Sequence, residues 1–468
     1  MSHFIRQIEE AEGLASAKLM RDPRIEEAKK LIRQAVEDHR QTITAVRPPQ
    51  EKLKEDYNKA IRSFGQYRGG SLWYPYLGSG IGNGALVELL DGSIKYDFIS
   101  GIGVHFWGHS HLDLVDASVD AAVSDLILQG HLQQNADSVK FSEMLVKASG
   151  LDHCFLTTSG AMANENALKI AFQKNYPANR VLAFEHCFAG RTLAVSQITD
   201  KPAFRQGLPD TLHVDYIPFY DVERPEESLN ETLHALDKIL KRYPQQHAVM
   251  IMELVQGEAG FYPGSTPFFE AVMKKLKEHK IAILVDEVQS FGRTPSLFAY
   301  QYFGLEKYVD IVTIGKLSQV CATLFRNEMQ PKPGLLSQTF TGSTAVIRAA
   351  HVIINGLING NYYGPHGRIE QIHNKMTSHL KEIEREHPSV ISGPYGIGCM
   401  IAFTPLDGTM EKALKFTHDL FEAGVISFIA GSAPARVRFL VPAGAITDED
   451  IENASLIIRE TLLKQEKS

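Results

Sequence analysis

Residues 281–290 read Ile-Ala-Ile-Leu-Val-Asp-Glu-Val-Gln-Ser. Five apolar side chains follow one another without the alternation of a half-exposed strand. Such a run fits a strand buried on both faces, the usual state in a parallel sheet covered by helices. It ends abruptly in two carboxylates. In a parallel α/β sheet the ligand lies outside the carboxyl ends of the strands, so Asp286 is expected in a ligand crevice. Alone, an aspartate there also reads as a helix cap or a structural residue.

The neighbouring sequence repeats the pattern. Short apolar runs at 155–158, 181–184, 249–254 and 311–314 are separated by stretches of helical periodicity. One of these helices is predicted over 267–279, with Thr266 as its cap and Pro267 at the first position. The alternation predicts an α/β fold with a large, mostly parallel sheet over about 96–345. The run 311–314 leads into Gly315-Lys316, placing a lysine at the same sheet end as Asp286. A desolvated lysine loses its proton readily and condenses with an aldehyde. A carboxylate beside a pyridine nitrogen keeps that ring protonated, the state in which pyridoxal phosphate draws electrons.

Two further segments point to the same crevice. Thr157-Thr158-Ser159-Gly160-Ala161 follows a strand and opens a helix at about 162–173. Backbone N–H groups at a helix start suit a phosphate. Phe188 follows the run 181–184 and is placed to stack on an aromatic ring. Arg191, three residues on, is the residue type for a two-pronged grip on a carboxylate.

Taken in order, the Ser-Gly turn, Phe188-Ala189-Gly190-Arg191-Thr192, Glu253-Leu254-Val255-Gln256-Gly257-Glu258-Ala259-Gly260, Val285-Asp286-Glu287-Val288-Gln289-Ser290, Gly315-Lys316 and Thr339-Phe340-Thr341-Gly342 resemble class III aminotransferases. The resemblance runs from about Ala85 to the C-terminus. Within the class, Glu165-Asn166-Ala167-Leu168-Lys169 and Gln319-Val320-Cys321 look most like L-lysine 6-aminotransferases, with 4-aminobutyrate aminotransferases close behind. It implies an aspartate-aminotransferase-like fold, a pyridoxal 5'-phosphate cofactor, and a homodimer with active sites at the interface. Lys316 would carry the cofactor as a Schiff base and shuttle the proton. Asp286 would pair with the pyridine nitrogen, Gln289 with the ring hydroxyl, and Phe188 would stack on the ring. Ser159, Gly160 and Ala161 would form the phosphate turn, and Thr339 would reach the phosphate of the neighbouring subunit. Glu258 and Arg438 match a switch pair that admits an amine donor or 2-oxoglutarate by turns, and Arg191 would bind the other carboxylate. Glu253 would face the cofactor.

Some positions depart from that pattern. Ala161 replaces a common hydroxyl residue, Ala189 a histidine or aromatic, and Ser343-Thr344 the usual Asn-Pro. Ile102, by the resemblance near the substrate channel, fits an ω-amine lacking an α-amino group at least as well as ornithine. The resemblance therefore implies transfer of the terminal amine of lysine or a similar ω-amine. The alternatives are 4-aminobutyrate or another ω-amino acid as donor, an aminomutase or lyase reaction on the same fold, and a binding protein that keeps the fold without the chemistry.

The remaining chain is read more simply. Residues 1–70 predict a helical arm, with apolar stripes at Ile25, Ala28, Ile32, Ala35 and at Leu53, Tyr57, Ala60, Phe64. Residues 71–95 are assigned to the small domain, and 346–468 to its larger α+β part, with a helix near 408–423, strands at 425–430 and 437–441, and a final helix at 450–464. Gly78–Gly84 (GSGIGNG) mimics a dinucleotide loop, but no helix follows it. His105, His109 and His111 could pass for a metal cluster, but the resemblance puts Gly108-His109 in a common structural turn, and no metal site is expected. Trp73, Tyr74 and Tyr76 read equally as channel mouth or packing. A net charge of −7 without a basic stripe argues against nucleic acid and anionic membranes. No apolar run approaches a membrane span. The acidic N-terminus resembles neither a secretory nor a transit peptide. Four scattered cysteines suit a reducing compartment, so the cytoplasm is the expected location.

Overall fold

In a computed structural model, which describes residues 2–9, 13–124, 127–128 and 132–466, the apolar run before Asp286 forms strand Ala282–Glu287, buried at every position. It is β5 of a seven-stranded sheet. The others are β1 His153–Thr157, β2 Arg180–Phe184, β3 His213–Ile217, β4 His247–Met252, β6 Ile311–Ile314 and β7 Cys321–Phe325. Their order is β1-β7-β6-β5-β4-β2-β3. The strands from β6 to β3 run parallel, and β7 is antiparallel to both β6 and β1. β3 and β7 escaped the sequence reading. His-Val-Asp-Tyr-Ile in β3 mixes polar residues into an edge strand, and β7 follows β6 too closely for a helical crossover.

Helix α1, Gly160–Lys174, packs its buried Ala163, Ala167, Leu168, Ile170 and Ala171 on this sheet. Each large aliphatic side chain buried there contributes roughly 1.5–3 kcal/mol. Helix α2 spans Thr266–Glu278, and its cap is Ser265, not Thr266. The Ser265 hydroxyl accepts from Phe268 N at 3.4 Å, while Thr266 Oγ1 donates to Phe303 O at 3.0 Å.

The chain forms two compact units: residues 1–20 with 120–365, and residues 21–119 with 366–468. Two expected boundaries move for physical reasons. Helices Pro23–Arg40 and Glu51–Tyr67, read as a separate arm, belong to the second unit. Arg47 bridges to Ile94, and the Tyr57 hydroxyl donates to Pro75 O and accepts from Leu77 N at 3.0 Å. Helix Thr344–Asn359, expected in the small domain, belongs to the first unit. Arg348 Nε pairs with Asp137 at 3.0 Å and Thr344 Oγ1 accepts from Asn135 at 3.1 Å.

In the second unit a four-stranded antiparallel sheet holds Ile391–Ile397, Met400–Pro405, Arg436–Leu440 and Phe428–Ala430 in that order. Helices Met410–Ala423 and Asp448–Glu466 lie close to their expected positions. The glycine-rich 78–84 stretch contributes strand Gly78–Asn83, paired antiparallel to Leu86–Leu89, rather than a phosphate loop. Tyr74 stacks on Phe421 at 4.6 Å and Trp73 lies 4.8 Å from Phe428, so both take part in packing within the unit. Among the described residues no helix is long and apolar enough to cross a membrane.

Candidate active site

At the carboxyl ends of β1, β4, β5 and β6 lies a cavity of about 240 Å³. It is lined by Gly160, Ala161, Asn164, Phe188, Ala189, Gly190, Glu253, Asp286, Val288, Gln289 and Lys316. The register explains the convergence. Asp286 on β5 lies opposite Thr313 on β6, three residues before Lys316. Antiparallel β7 begins at Cys321 beside Thr157, which brings the turn ahead of α1 to the same place.

Asp286 is 7% exposed. Its Oδ1 accepts from Val288 N at 2.9 Å and its Oδ2 from Asn164 Nδ2 at 2.7 Å. The Asn164 amide also donates to Ala189 O at 2.8 Å, and its Oδ1 accepts from Thr313 Oγ1 at 2.7 Å. Asn164 therefore fixes both the carboxylate and the Phe188 loop. Burial nevertheless holds the Asp286 carboxyl above its usual range, against these hydrogen bonds and the pull of the Lys316 charge.

Glu253, just past β4, is the second buried carboxyl. Its Oε1 accepts from Phe188 N and its Oε2 from Gly257 N, both at 2.9 Å. Burial first, and the neighbouring Asp286 charge second, push it up to about 8. Lys316 opens a short 3-10 turn with φ of +51°, a conformation uncommon for a non-glycine residue and found at sites where backbone strain is retained. A Cβ on Gly160 would meet Val288 Cγ1 at 2.6 Å, and one on Gly315 would meet Cys321 Sγ at 2.9 Å and Val288 Cγ1 at 3.2 Å. The phosphate-type turn and the lysine turn thus both press on the segment after β5.

Ser159 is the N-cap of α1, its hydroxyl accepting from Met162 N at 3.2 Å, and does not line the cavity. Three more expected site residues of this unit lie outside the lining. Arg191 is exposed, with its guanidinium 3.9 Å above the Phe204 ring. Glu258 has Lys201 Nζ 3.9 Å from its Oε2. Thr339 is exposed, next to Gln338, whose Oε1 accepts from Thr157 Oγ1 at 2.7 Å. Arg438 belongs to the second unit, wholly buried on Arg436–Leu440, with its guanidinium 5.4 Å from the Phe428 ring.

The sequence reading missed Asn164, Val288 and Arg293. Arg293, 1% exposed, donates to Gln289 O at 3.2 Å and so anchors the backbone of Gln289. No sequence signal foreshadowed its burial, since it sits among Ser290, Phe291, Gly292, Thr294 and Ser296, a stretch of mixed polarity. The expected structural histidine turn is held by His109 Nε2, 3.0 Å from Asp97 Oδ2. Among the described residues no three His, Cys, Asp or Glu side chains are grouped to hold a metal.

A buried acid, an amide, an aromatic side chain, a lysine and a helix N-terminus around one small cavity fit pyridoxal phosphate. The buried Asp286 carboxylate in particular calls for a cationic partner such as a protonated pyridine.

Residues 80–462 match the family model for aminotransferase class-III. An acetylornithine aminotransferase of Bacillus anthracis is 28% identical over 81% of this chain and 93% of that protein. Lysine aminotransferase from M. tuberculosis in the internal aldimine form superposes with a TM-score of 0.77 at 23% identity, covering 86% of this chain and 99% of that one. Ornithine aminotransferase from Toxoplasma gondii gives 0.76 at 23% identity over 88% and 96%. These two likenesses show the aspartate-aminotransferase-like α/β fold. The family match spans residues 80–462 of 468, and the chain belongs to the class-III aminotransferases, enzymes that depend on pyridoxal phosphate.

Proposed function

We propose that the protein moves the terminal amino group of lysine or a similar ω-amine to 2-oxoglutarate, as a cytoplasmic homodimer, giving a semialdehyde and glutamate in two half-reactions. The observation that carries the chemistry is the convergence of Lys316, Asp286 and Gln289 on one cavity. Bound there, pyridoxal phosphate supplies the electron sink for breaking a carbon–hydrogen bond next to nitrogen. Asp286, braced by Asn164, would hold the ring nitrogen protonated. Gln289 would reach the ring hydroxyl, Phe188 would stack on the ring, and the Gly160-Ala161 backbone at the α1 N-terminus would take the phosphate. Lys316 Nζ would hold the cofactor covalently and then carry the proton between the two carbons that exchange it.

Arg191 is proposed for one carboxylate of the acceptor, and Glu258 with Arg438 for a switch that lets one site serve a cationic donor and a dicarboxylate. The names of the relatives, acetylornithine, lysine and ornithine aminotransferase, support an ω-amine donor. Four cysteines, far apart in sequence and forming no CxxC pair, support the cytoplasm.

The test is a single half-reaction on cofactor-saturated protein. Lysine, 4-aminobutyrate, ornithine, acetylornithine and β-alanine are added in turn without keto acid while the visible absorbance of the cofactor is followed. A donor that bleaches the band, with recovery on adding 2-oxoglutarate, establishes the reaction and names the amine. A band that none of them moves rules the proposal out. Lys316→Ala should abolish turnover, and turnover by that variant at the wild-type rate contradicts the assignment.

A further inference from the structure

The roles proposed above leave out a cation that touches the proposed switch glutamate. Lys201 Nζ lies 3.9 Å from Glu258 Oε2 and 3.5 Å from the Glu258 carbonyl oxygen. Its nitrogen is also 5.4 Å from the centre of the Phe204 ring, the ring over which the Arg191 guanidinium sits at 3.9 Å. Both Lys201 and Glu258 are mostly buried, their side chains 29% and 17% exposed.

The segments that carry these side chains are stitched together. Thr199 Oγ1 accepts from Ala189 N at 3.0 Å and donates to Gly190 O at 2.9 Å. Asp200 Oδ2 accepts from His186 N at 2.8 Å, and Asp200 N donates to Cys187 O at 2.9 Å. Lys201 is thereby fixed against the loop of Phe188 and Arg191. Glu253 ties the same loop to Gly257, the residue before Glu258. Contacts thus run from Phe188 through Glu253 to the backbone beside Glu258, and from Glu258 through Lys201 and Phe204 to Arg191, all within one unit.

A switch carboxylate needs somewhere to go when it releases its arginine. A tight two-pronged hold would trap it, whereas a contact at 3.9 Å is easily broken and remade. A dicarboxylate entering beside an uncompensated glutamate would meet like charge, which an ammonium within about 4 Å offsets. We infer that Lys201 is a positioning residue that receives Glu258 in its withdrawn state and so sets how readily the site admits the dicarboxylate acceptor. This rests on the switch role proposed for Glu258.

Binding of glutarate, an unreactive dicarboxylate, to the cofactor-loaded enzyme tests the inference by titration calorimetry, beside the KM for 2-oxoglutarate and the rate of the amine half-reaction. Lys201→Met should weaken glutarate roughly tenfold and raise that KM similarly, leaving the amine half-reaction near its wild-type rate. Lys201→Arg should restore most of the loss. Glu258→Gln should tighten glutarate, and adding Lys201→Met to it should change nothing more. An equal loss in both backgrounds would mean that Lys201 acts on the ligand directly, and no loss in either would mean that it does not act at all; both overturn the inference alone. If Glu258→Gln leaves glutarate binding unchanged, the switch reading fails and the inference falls with it.

Discussion

Asp286 and Lys316 stand out in the sequence because each directly follows an apolar strand, and strand ends in a parallel sheet are where ligands bind. Asn164 gives no such signal. It sits inside a helix among Ala163, Glu165 and Asn166, and its three partners come from β5, β6 and the Phe188 loop, a meeting that only the tertiary fold creates. Replacing it with leucine strands the Thr313 hydroxyl and removes a hydrogen bond from Asp286. A buried group left without its partner costs about 1–3 kcal/mol. Asn164→Leu should therefore lower the melting temperature of the cofactor-free protein and weaken cofactor retention together; a variant that loses neither contradicts the bracing role. Glu253 offers a prediction in pH. The folded protein keeps its proton up to about pH 8, whereas the unfolded chain releases it near the ordinary value of 4.5. This group's contribution to stability is full below that ordinary value and is lost as pH rises through about 8. Asp286 and Glu287, also raised by burial, add slopes of the same sign. Glu253→Gln sets an amide nitrogen against a backbone N–H, so it lowers stability throughout. It should still flatten the decline of the cofactor-free protein's stability between pH 5 and pH 8, a window taken from roughly those two pKa values. Parallel wild-type and variant curves would show that Glu253 does not carry that proton.

The strands were legible where hydrophobicity is continuous, as in β5 and β6, and blurred where an edge or an antiparallel return mixes its pattern, as in β3 and β7. What no periodicity reveals is how closely the loops beyond the strands approach one another. A Cβ on Gly257 would come within 2.2 Å of Gln289 Oε1 and 2.6 Å of its Cδ. A Cβ on Gly190, where φ is +129°, would come within 2.9 Å of Ala161 Cβ. The segments after β1, β2, β4 and β5 are packed backbone to side chain around the cavity, and glycine is what lets them close. Gly257→Ala is the informative change, because the atoms it displaces are the end of a side chain rather than backbone. The amide of Gln289 must swing away from the position proposed for the ring hydroxyl. Cofactor affinity should fall on the order of tenfold, about 1.4 kcal/mol, while the melting temperature of the cofactor-free protein changes little. A large drop in that melting temperature would mean that the glycine serves the fold rather than the pocket.

At the scale of the whole molecule, the α/β class and the small C-terminal α+β region followed from patterning, since buried strands and amphipathic helices leave different periods. The unit boundaries did not. Whether a helix such as Thr344–Asn359 belongs to one unit or the other depends on partners such as Asp137, more than two hundred residues away. Subunit assembly is further still from any pattern, and the proposed homodimer rests on Thr339, an exposed residue outside the cavity lining of its own chain. If Thr339 reaches the phosphate of the neighbouring subunit, a carboxylate placed there repels a phosphate in the partner's site and not in its own. Thr339→Asp and Lys316→Ala should each be inactive as pure proteins. Unfolded and refolded together, their chains form hybrids in which one site carries both defects and the other carries neither. Random pairing puts half the dimers in that class, so about a quarter of wild-type activity should return. If Thr339 serves its own chain's site, every site in the mixture keeps one defect and no activity returns, and the interface assignment is wrong. Size-exclusion chromatography of the mixture separates that outcome from a failure of the chains to pair.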